Sequence, residues 1–82
     1  MLYVKLTELK KNQTAKILLI GLDWNLKKRL LEMGFCFGAE IKFIYEFNTT
    51  FAYEIKNGLV ALRKEDAEKI FISLWNDGNE KI

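Results

Sequence analysis

The side chains that could do chemistry in this chain are few and scattered. Cys36 is the single cysteine among 82 residues, and the sequence contains no histidine. A thiol becomes reactive beside a base or a positive charge, whereas Cys36 lies between Phe35 and Phe37. This setting is typical of a small, buried or half-buried apolar residue. The sequence therefore predicts no catalytic nucleophile here.

The acidic side chains also cluster without forming a recognisable metal site. Glu65, Asp66 and Glu68 fall within one helical turn, with Lys64 and Lys69 on either side. An acidic group of this kind, mixed with lysines, is typical of a solvated helix face. Asp66 can in addition favour the helix N-terminus through the helix dipole. We expect no dedicated metal ligands and no catalytic residues in the chain.

The basic side chains are distributed unevenly along the sequence. Residues 1–38 hold seven Lys/Arg and three Asp/Glu, a charge of +4, whereas residues 39–82 hold six and eight, a charge of −2. Lys10-Lys11 and Lys27-Lys28-Arg29 concentrate the positive charge. A solvated helix face is the favoured interpretation, and a patch for an acidic partner or an anionic membrane surface is the alternative. Trp24 is interpreted as a partly buried core aromatic, with an exposed partner anchor as the alternative.

A helix is needed to position these basic residues, and the apolar spacing predicts one over about residues 24–33. Leu26, Leu30 and Met33 recur at i, i+4 and i+7, which places them on one helix face. Asp23 or Asn25 can serve as the N-cap, because a short side-chain oxygen can accept an otherwise unpaired backbone N–H.

A glycine-bounded corner follows the predicted helix. Gly34 fits the C′ position, where the chain turns left-handed and a Cβ would be penalised. Phe35 would then contact Leu30 across the helix end, which is the usual hydrophobic contact of this type of cap. Gly38 allows a second tight turn before the next strand.

The remaining sequence indicates short strands joined by tight turns. Five strands are predicted, at residues 15–22, 40–47, 51–56, 59–62 and 70–74. The first, a mostly apolar run, is expected to be buried on both faces, and Ile41, Phe43, Tyr45 and Phe47 are expected to share one face of the second. Turns are predicted at residues 48–50 and at Asn57-Gly58, a dipeptide that favours the type I′ turn of β-hairpins. A short turn or helix is expected over residues 6–9, with Leu6 and Leu9 inward, and a helical turn over about 64–69.

These elements define a mainly β fold with inserted α structure, packed as a small, five-stranded, partly open β-barrel. We expect one domain over residues 1–75 and a polar tail over residues 76–82. A lone cysteine fits a reducing compartment, and neither a signal peptide nor an apolar run long enough to span a bilayer is recognisable. The expected location is the cytoplasm.

Several segments together resemble the FeoA family of bacterial ferrous-iron uptake, over roughly residues 6–72. The pattern L-x-x-L-K-x-x-Q-x-A-K-I occupies Leu6 to Ile17, and Gly21 follows the first strand. The remaining matching segments are Arg29-Leu30, Met33-Gly34-Phe35, Gly38-Ala39-Glu40-Ile41, Ala61-Leu62-Arg63 and Ala67-Glu68-Lys69-Ile70. Their order and spacing are more specific than any one of them alone.

The resemblance implies an SH3-like β-barrel without enzymatic activity and without a cofactor, with Fe²⁺ only as the cargo of a transporter. It implies a cytoplasmic protein that binds FeoB, the ferrous-iron permease with a GTPase domain, at the inner face of the membrane and supports or regulates it. Membrane contact would be peripheral at most, and no nucleic acid is expected. The candidate partner contacts are Trp24, Lys28, Arg29, Leu30, Met33, Phe35 and Phe37.

The chain departs from the family pattern at two places. Phe37 stands where the family usually has a proline before the second glycine. Residues 48–51 lack the proline and glycine that the family tends to carry in this loop. The alternative function is a stand-alone SH3-like module that senses a metal or a peptide, because the same barrel resembles the C-terminal domain of iron-dependent repressors.

Overall fold

The computed structural model describes residues 3–56 and 58–74, and its strands form one antiparallel sheet. The elements are β1 (Tyr3–Lys5), a 3₁₀ turn (Leu6–Glu8), β2 (Thr14–Ile20), α1 (Trp24–Glu32), β3 (Glu40–Phe47), β4 (Thr50–Ile55), β5 (Gly58–Arg63), α2 (Lys64–Ala67) and β6 (Ile70–Leu74). Within the described residues, six strands lie in the order β1-β6-β2-β3-β4-β5. The mainly β prediction is confirmed.

The expected count of five strands is wrong, because β1 adds a sixth. Its three residues pair with β6, with Tyr3 opposite Ser73 and Lys5 opposite Phe71. A strand this short shows no usable alternation in the sequence, and only its partner strand reveals it. The short turn or helix predicted over residues 6–9 follows directly as a 3₁₀ turn, and Leu6 and Leu9 are buried in the core as predicted.

Two bulges overturn the predicted strand faces. In β2 the pairing with β6 shifts between Ile17 and Leu19, which leaves Leu19 57% exposed, so this strand is not buried on both faces. In β3 the pairing with β4 shifts between Phe43 and Tyr45, so the predicted single face does not form, and Tyr45 is exposed. A bulge places two residues opposite one, and period-two alternation cannot continue through it.

The sheet closes around a compact apolar core. Its largest fully buried side chains are Tyr53, Phe35, Leu6, Ile17, Ile41, Ile70 and Ile72. Tyr53 Oη donates a hydrogen bond of 3.4 Å to the carbonyl oxygen of Leu6, which joins β4 to the 3₁₀ turn after β1. This contact brings the two halves of the sheet together, while β1 and β5 remain at the ends of the strand order.

One of the two predicted hairpin turns lies where the sequence places it, and the other is shifted by one residue. Asn48, at a φ of 59°, lies in the turn between the paired residues Phe47 and Thr50. Gly58 has a φ of 139° and is the first residue of β5, paired with Ile55, so its predicted place at the centre of the hairpin turn is wrong by one residue. Asn57 lies outside the described residues. The predicted boundary and tail at residues 75–82 also lie outside them. No helix in the described part of the chain is long and apolar enough to cross a membrane.

Candidate functional site

The first part of the candidate site is the start of α1, which the sequence fixes through a capping residue. Asp23 is the N-cap, and its carboxylate accepts a hydrogen bond of 3.1 Å from the backbone N–H of Leu26. Trp24 is the first residue of the helix and is 63% exposed, so its interpretation as a core aromatic is wrong. A large aromatic ring thus stands at the surface on a backbone position that the cap holds in place.

The helix ends in the cap that the sequence predicts. Gly34 has a φ of 93°, and its N–H donates to the carbonyl oxygen of Leu31 at 3.0 Å. The N–H of Phe35 donates to the carbonyl oxygen of Leu30 at 2.9 Å, and these two bonds together define a Schellman motif. Leu30 and Phe35 are buried, at 3% and 0% exposure. Both side chains therefore pack in the core beneath the site and are not accessible to a partner.

The glycine corner, residues 34–38, is held against β2 by backbone hydrogen bonds. The N–H of Gly38, at a φ of 83°, donates to the carbonyl oxygen of Ile17 at 2.7 Å. The N–H of Ile17 donates to the carbonyl oxygen of Ala39 at 3.0 Å. Phe37 precedes this anchor and is 76% exposed. The corner is therefore fixed to the sheet by its backbone while it presents a phenyl ring to solvent.

The α1 outer face, defined as Trp24, Lys28 and Leu31, is the centre of the site. These residues follow the i, i+4, i+7 spacing, all three are exposed, and they lie on the side of the helix opposite Leu26 and Leu30. The sequence reasoning missed Leu31, because an apolar residue next to Leu30 is easily assigned to the core. Its distance of seven residues from Trp24 is the signal that places it outside.

Further exposed residues outside the α1 outer face lie toward the end of the helix, and the charged one among them, Arg29, is called here the basic rim. Arg29 is exposed in the last turn of α1, where a positive charge also favours the helix dipole. Met33 is 42% exposed and joins the helix to the corner. Of the seven predicted contacts, the structure therefore places five at the surface: Trp24, Lys28, Arg29, Met33 and Phe37. Such a surface can bind an acidic or amphipathic partner.

The described residues show no second centre of chemistry beside this surface. Cys36 is half-buried, and its thiol donates to the carbonyl oxygen of Gly34 at 3.7 Å. Among the described residues, no three Asp, Glu, Cys or His side chains come together as a metal site. A groove of about 710 Å³ opens beside Gly34 and is lined by two lysines and two glutamates. Its opposing charges favour neither an anion nor a cation.

The fold and the site together define a small SH3-like domain that offers an apolar, basic-rimmed surface on an inserted helix. The FeoA domain family matches residues 4–74, so the chain belongs to that family, whose members are linked to iron transport. No curated protein sequence gives a match.

Several solved structures have a similar fold. The FeoA protein from Chlorobium tepidum superimposes with a TM-score of 0.85 at 23% identity, covering 89% of this chain and 71% of that one. The iron(II) transport protein A from Clostridium thermocellum gives a TM-score of 0.76 at 27% identity, with coverage of 87% and 45%. IdeR from T. acidophilum gives 0.78 at 20% identity, with coverage of 92% and 35%, and this likeness concerns the fold alone.

Proposed function

We propose that this protein is a cytoplasmic accessory protein of ferrous-iron uptake that binds the cytosolic part of a FeoB-type permease. Binding would occur at the inner face of the membrane, through the α1 outer face and the glycine corner, and would support or regulate the transporter. Membership of the FeoA family supports the pathway. The exposure of Trp24 beside a run of cations is the observation that carries the choice of surface.

Trp24 has the properties of an interface anchor. A tryptophan that is 63% exposed leaves a large apolar area in water, which a partner's pocket would remove. Tryptophan and arginine are also the side chains most enriched among residues that dominate binding energies. Lys28 lies four residues after Trp24 on the same face of the helix, so a single docking event can engage both.

The way α1 is attached makes it suited to this role. Leu30 is the one buried residue among the nine of the helix. The barrel therefore uses one side chain of the helix for its core and leaves most of the others at the surface. Because most side chains of α1 are not needed for the core, they are available to contact a partner.

The first test is removal of the indole by Trp24→Ala, measured by titrating the isolated cytosolic domain of the permease. Loss of a dominant interface residue costs about 2 kcal/mol, so we expect binding weakened by roughly thirtyfold. Phe47→Ala is the matched control, because Phe47 is an aromatic residue of similar exposure, 69%, on the β3–β4 hairpin. Equal effects of the two variants would remove Trp24 from the proposed interface.

The basic rim is tested separately by Arg29→Glu. An exposed charge chiefly steers association, so we expect a slower association rate and a weaker salt dependence of binding than in the wild type. Lys11→Glu makes the same charge change at an exposed position outside α1 and is the control. Unchanged binding and salt dependence with Arg29→Glu would exclude the basic rim from the mechanism.

A further inference from the structure

The edge formed by β5 is mostly apolar, and its one charged residue, Arg63, lies at its end. Its six residues, Gly-Leu-Val-Ala-Leu-Arg, contain no proline and no lysine, and its pairing with β4 has no bulge. Natural proteins blunt such edges with short strands, prolines, charges or bulges, because an open edge is a template for another strand. The other end of the sheet, β1, has three residues and is protected by its length.

The backbone groups that face outward from this edge can be identified from one hydrogen bond. The N–H of Lys64 donates to the carbonyl oxygen of Thr49 at 2.8 Å, so these two residues form a bonded position of the β4–β5 ladder. Bonded and non-bonded pairs alternate in an antiparallel ladder. The N–H groups of Leu59, Ala61 and Arg63 therefore point away from β4, as do the carbonyls of Leu59 and Ala61. The carbonyl of Arg63 instead opens α2.

These outward groups have no backbone partner among the described residues. The side chains of the same residues are exposed, whereas Val60 and Leu62 fill the core at 3% and 4% exposure. A strand added at this edge would thus gain hydrogen bonds without disturbing the barrel.

We propose that β5 pairs antiparallel with β5 of a second copy of this chain, about a two-fold axis at Ala61. The two Ala61 residues would exchange a pair of hydrogen bonds. Each Arg63 N–H would donate to the Leu59 carbonyl of the other copy. A two-fold interface uses the same patch on both copies, and in this arrangement β5 is complementary to β5 of the second copy.

The exposed side chains of β5 favour its pairing with β5 of a second copy. Across the axis, Ala61 meets Ala61, so no bulk and no charge is opposed at the centre. On either side of the axis, Leu59 meets Arg63 of the second copy. Within one copy, Leu59 is paired with Glu54 of β4. Arg63 of the second copy therefore lies two strand spacings, roughly 9.5 Å, from Glu54. Two long side chains of opposite charge span this distance, and no like charges are opposed.

The pairing is expected to be weak, because a single edge strand buries less surface than a stable interface of standard size requires. The extent of self-association is therefore expected to depend on the protein concentration. We expect the amide exchange of Leu59, Ala61 and Arg63 in the full chain to slow as the concentration rises to about 1 mM, in parallel with growth of the sedimenting mass above 9.6 kDa. Exchange rates and mass that do not change with concentration would overturn the proposal.

A pair of charge variants tests the two-fold register. Ala61→Lys and Ala61→Glu each oppose like charges at the axis, so we expect each to weaken self-association by roughly fivefold, while an equimolar mixture associates as well as the wild type. Ala61 is exposed, so neither variant disturbs the core, and Lys11→Glu controls for net charge. A mixture that remains as weak as its components would overturn this register. Protection of the edge only on adding the permease domain would assign it to a partner's strand and overturn self-pairing.

The outcome is independent of the proposed permease binding, because β5 and the α1 outer face share no residue. Loss of self-association with intact permease binding, or the reverse, separates the two proposals.

Discussion

Gly34 holds the backbone conformation on which the candidate site depends. Its φ of 93° lies in the left-handed region, and its N–H closes the end of α1 on Leu31. The residues on either side of Gly34 differ in exposure, since Met33 is exposed and Phe35 is completely buried. A single glycine thus turns the chain from a surface helix to a core aromatic.

We expect Gly34→Ala to lower the free energy of unfolding by about 1–2 kcal/mol, because a Cβ is disfavoured at this φ. Gly34→Asn should cost less, because asparagine tolerates the left-handed region and is the usual substitute at this cap. Urea unfolding of the three proteins measures both effects. Equal losses for alanine and asparagine would show that the space at Gly34, and not its φ, is the constraint.

At the level of elements, α1 and its caps could be predicted from sequence because their determinants are local. Asp23, Gly34 and the spacing of Leu26 and Leu30 all lie within twelve residues and act on one another directly. The faces of β2 and β3 could not be predicted, because each is decided by a bulge that depends on the partner strand. Strand β1 could not be predicted for the same reason, since pairing with β6 creates it.

The site shows the same division between local and tertiary information. Lys28 and Arg29 are recognisable as surface residues from their chemistry alone. Trp24, Leu30 and Phe35 are apolar, and only packing decides which of them is exposed. Leu30 and Phe35, two of the predicted contacts, are therefore buried, whereas Trp24, for which a core position is the favoured interpretation, is exposed.

The cap of α1 gives a prediction at this scale. Asp23→Ala removes the side-chain acceptor for the N–H of Leu26, which costs about 1 kcal/mol of helix stability. Because α1 is fixed to the core mainly through Leu30, we expect the loss to appear as faster amide exchange in the first turn of α1, with exchange in the strands unchanged. Asp23→Asn keeps a capping oxygen and should restore slow exchange. Uniformly faster exchange throughout the sheet would contradict a local role.

At the scale of the whole molecule, the barrel is joined by a buried tyrosine. Tyr53 is fully buried on β4, and its hydroxyl reaches the Leu6 carbonyl oxygen after β1, 47 residues away in sequence. Its ring lies 5.5 Å from that of Phe43, which packs it within the β3–β4 ladder. Burial raises the pKa of Tyr53, and the carboxylate of Glu46 raises it further.

Tyr53→Phe tests this closure through the pH dependence of stability. Because its folded pKa lies above its unfolded value of about 10, Tyr53 contributes stability that is fully present below pH 10 and is lost as the pH rises beyond it. We expect the variant to lose about 1 kcal/mol near neutral pH, since the Leu6 carbonyl loses its donor. Above about pH 10 its free energy of unfolding should fall less steeply than that of the wild type, so that the two curves approach each other. Urea unfolding at a series of pH values measures both curves, and a parallel decline would show that the alkaline loss of stability comes from another group.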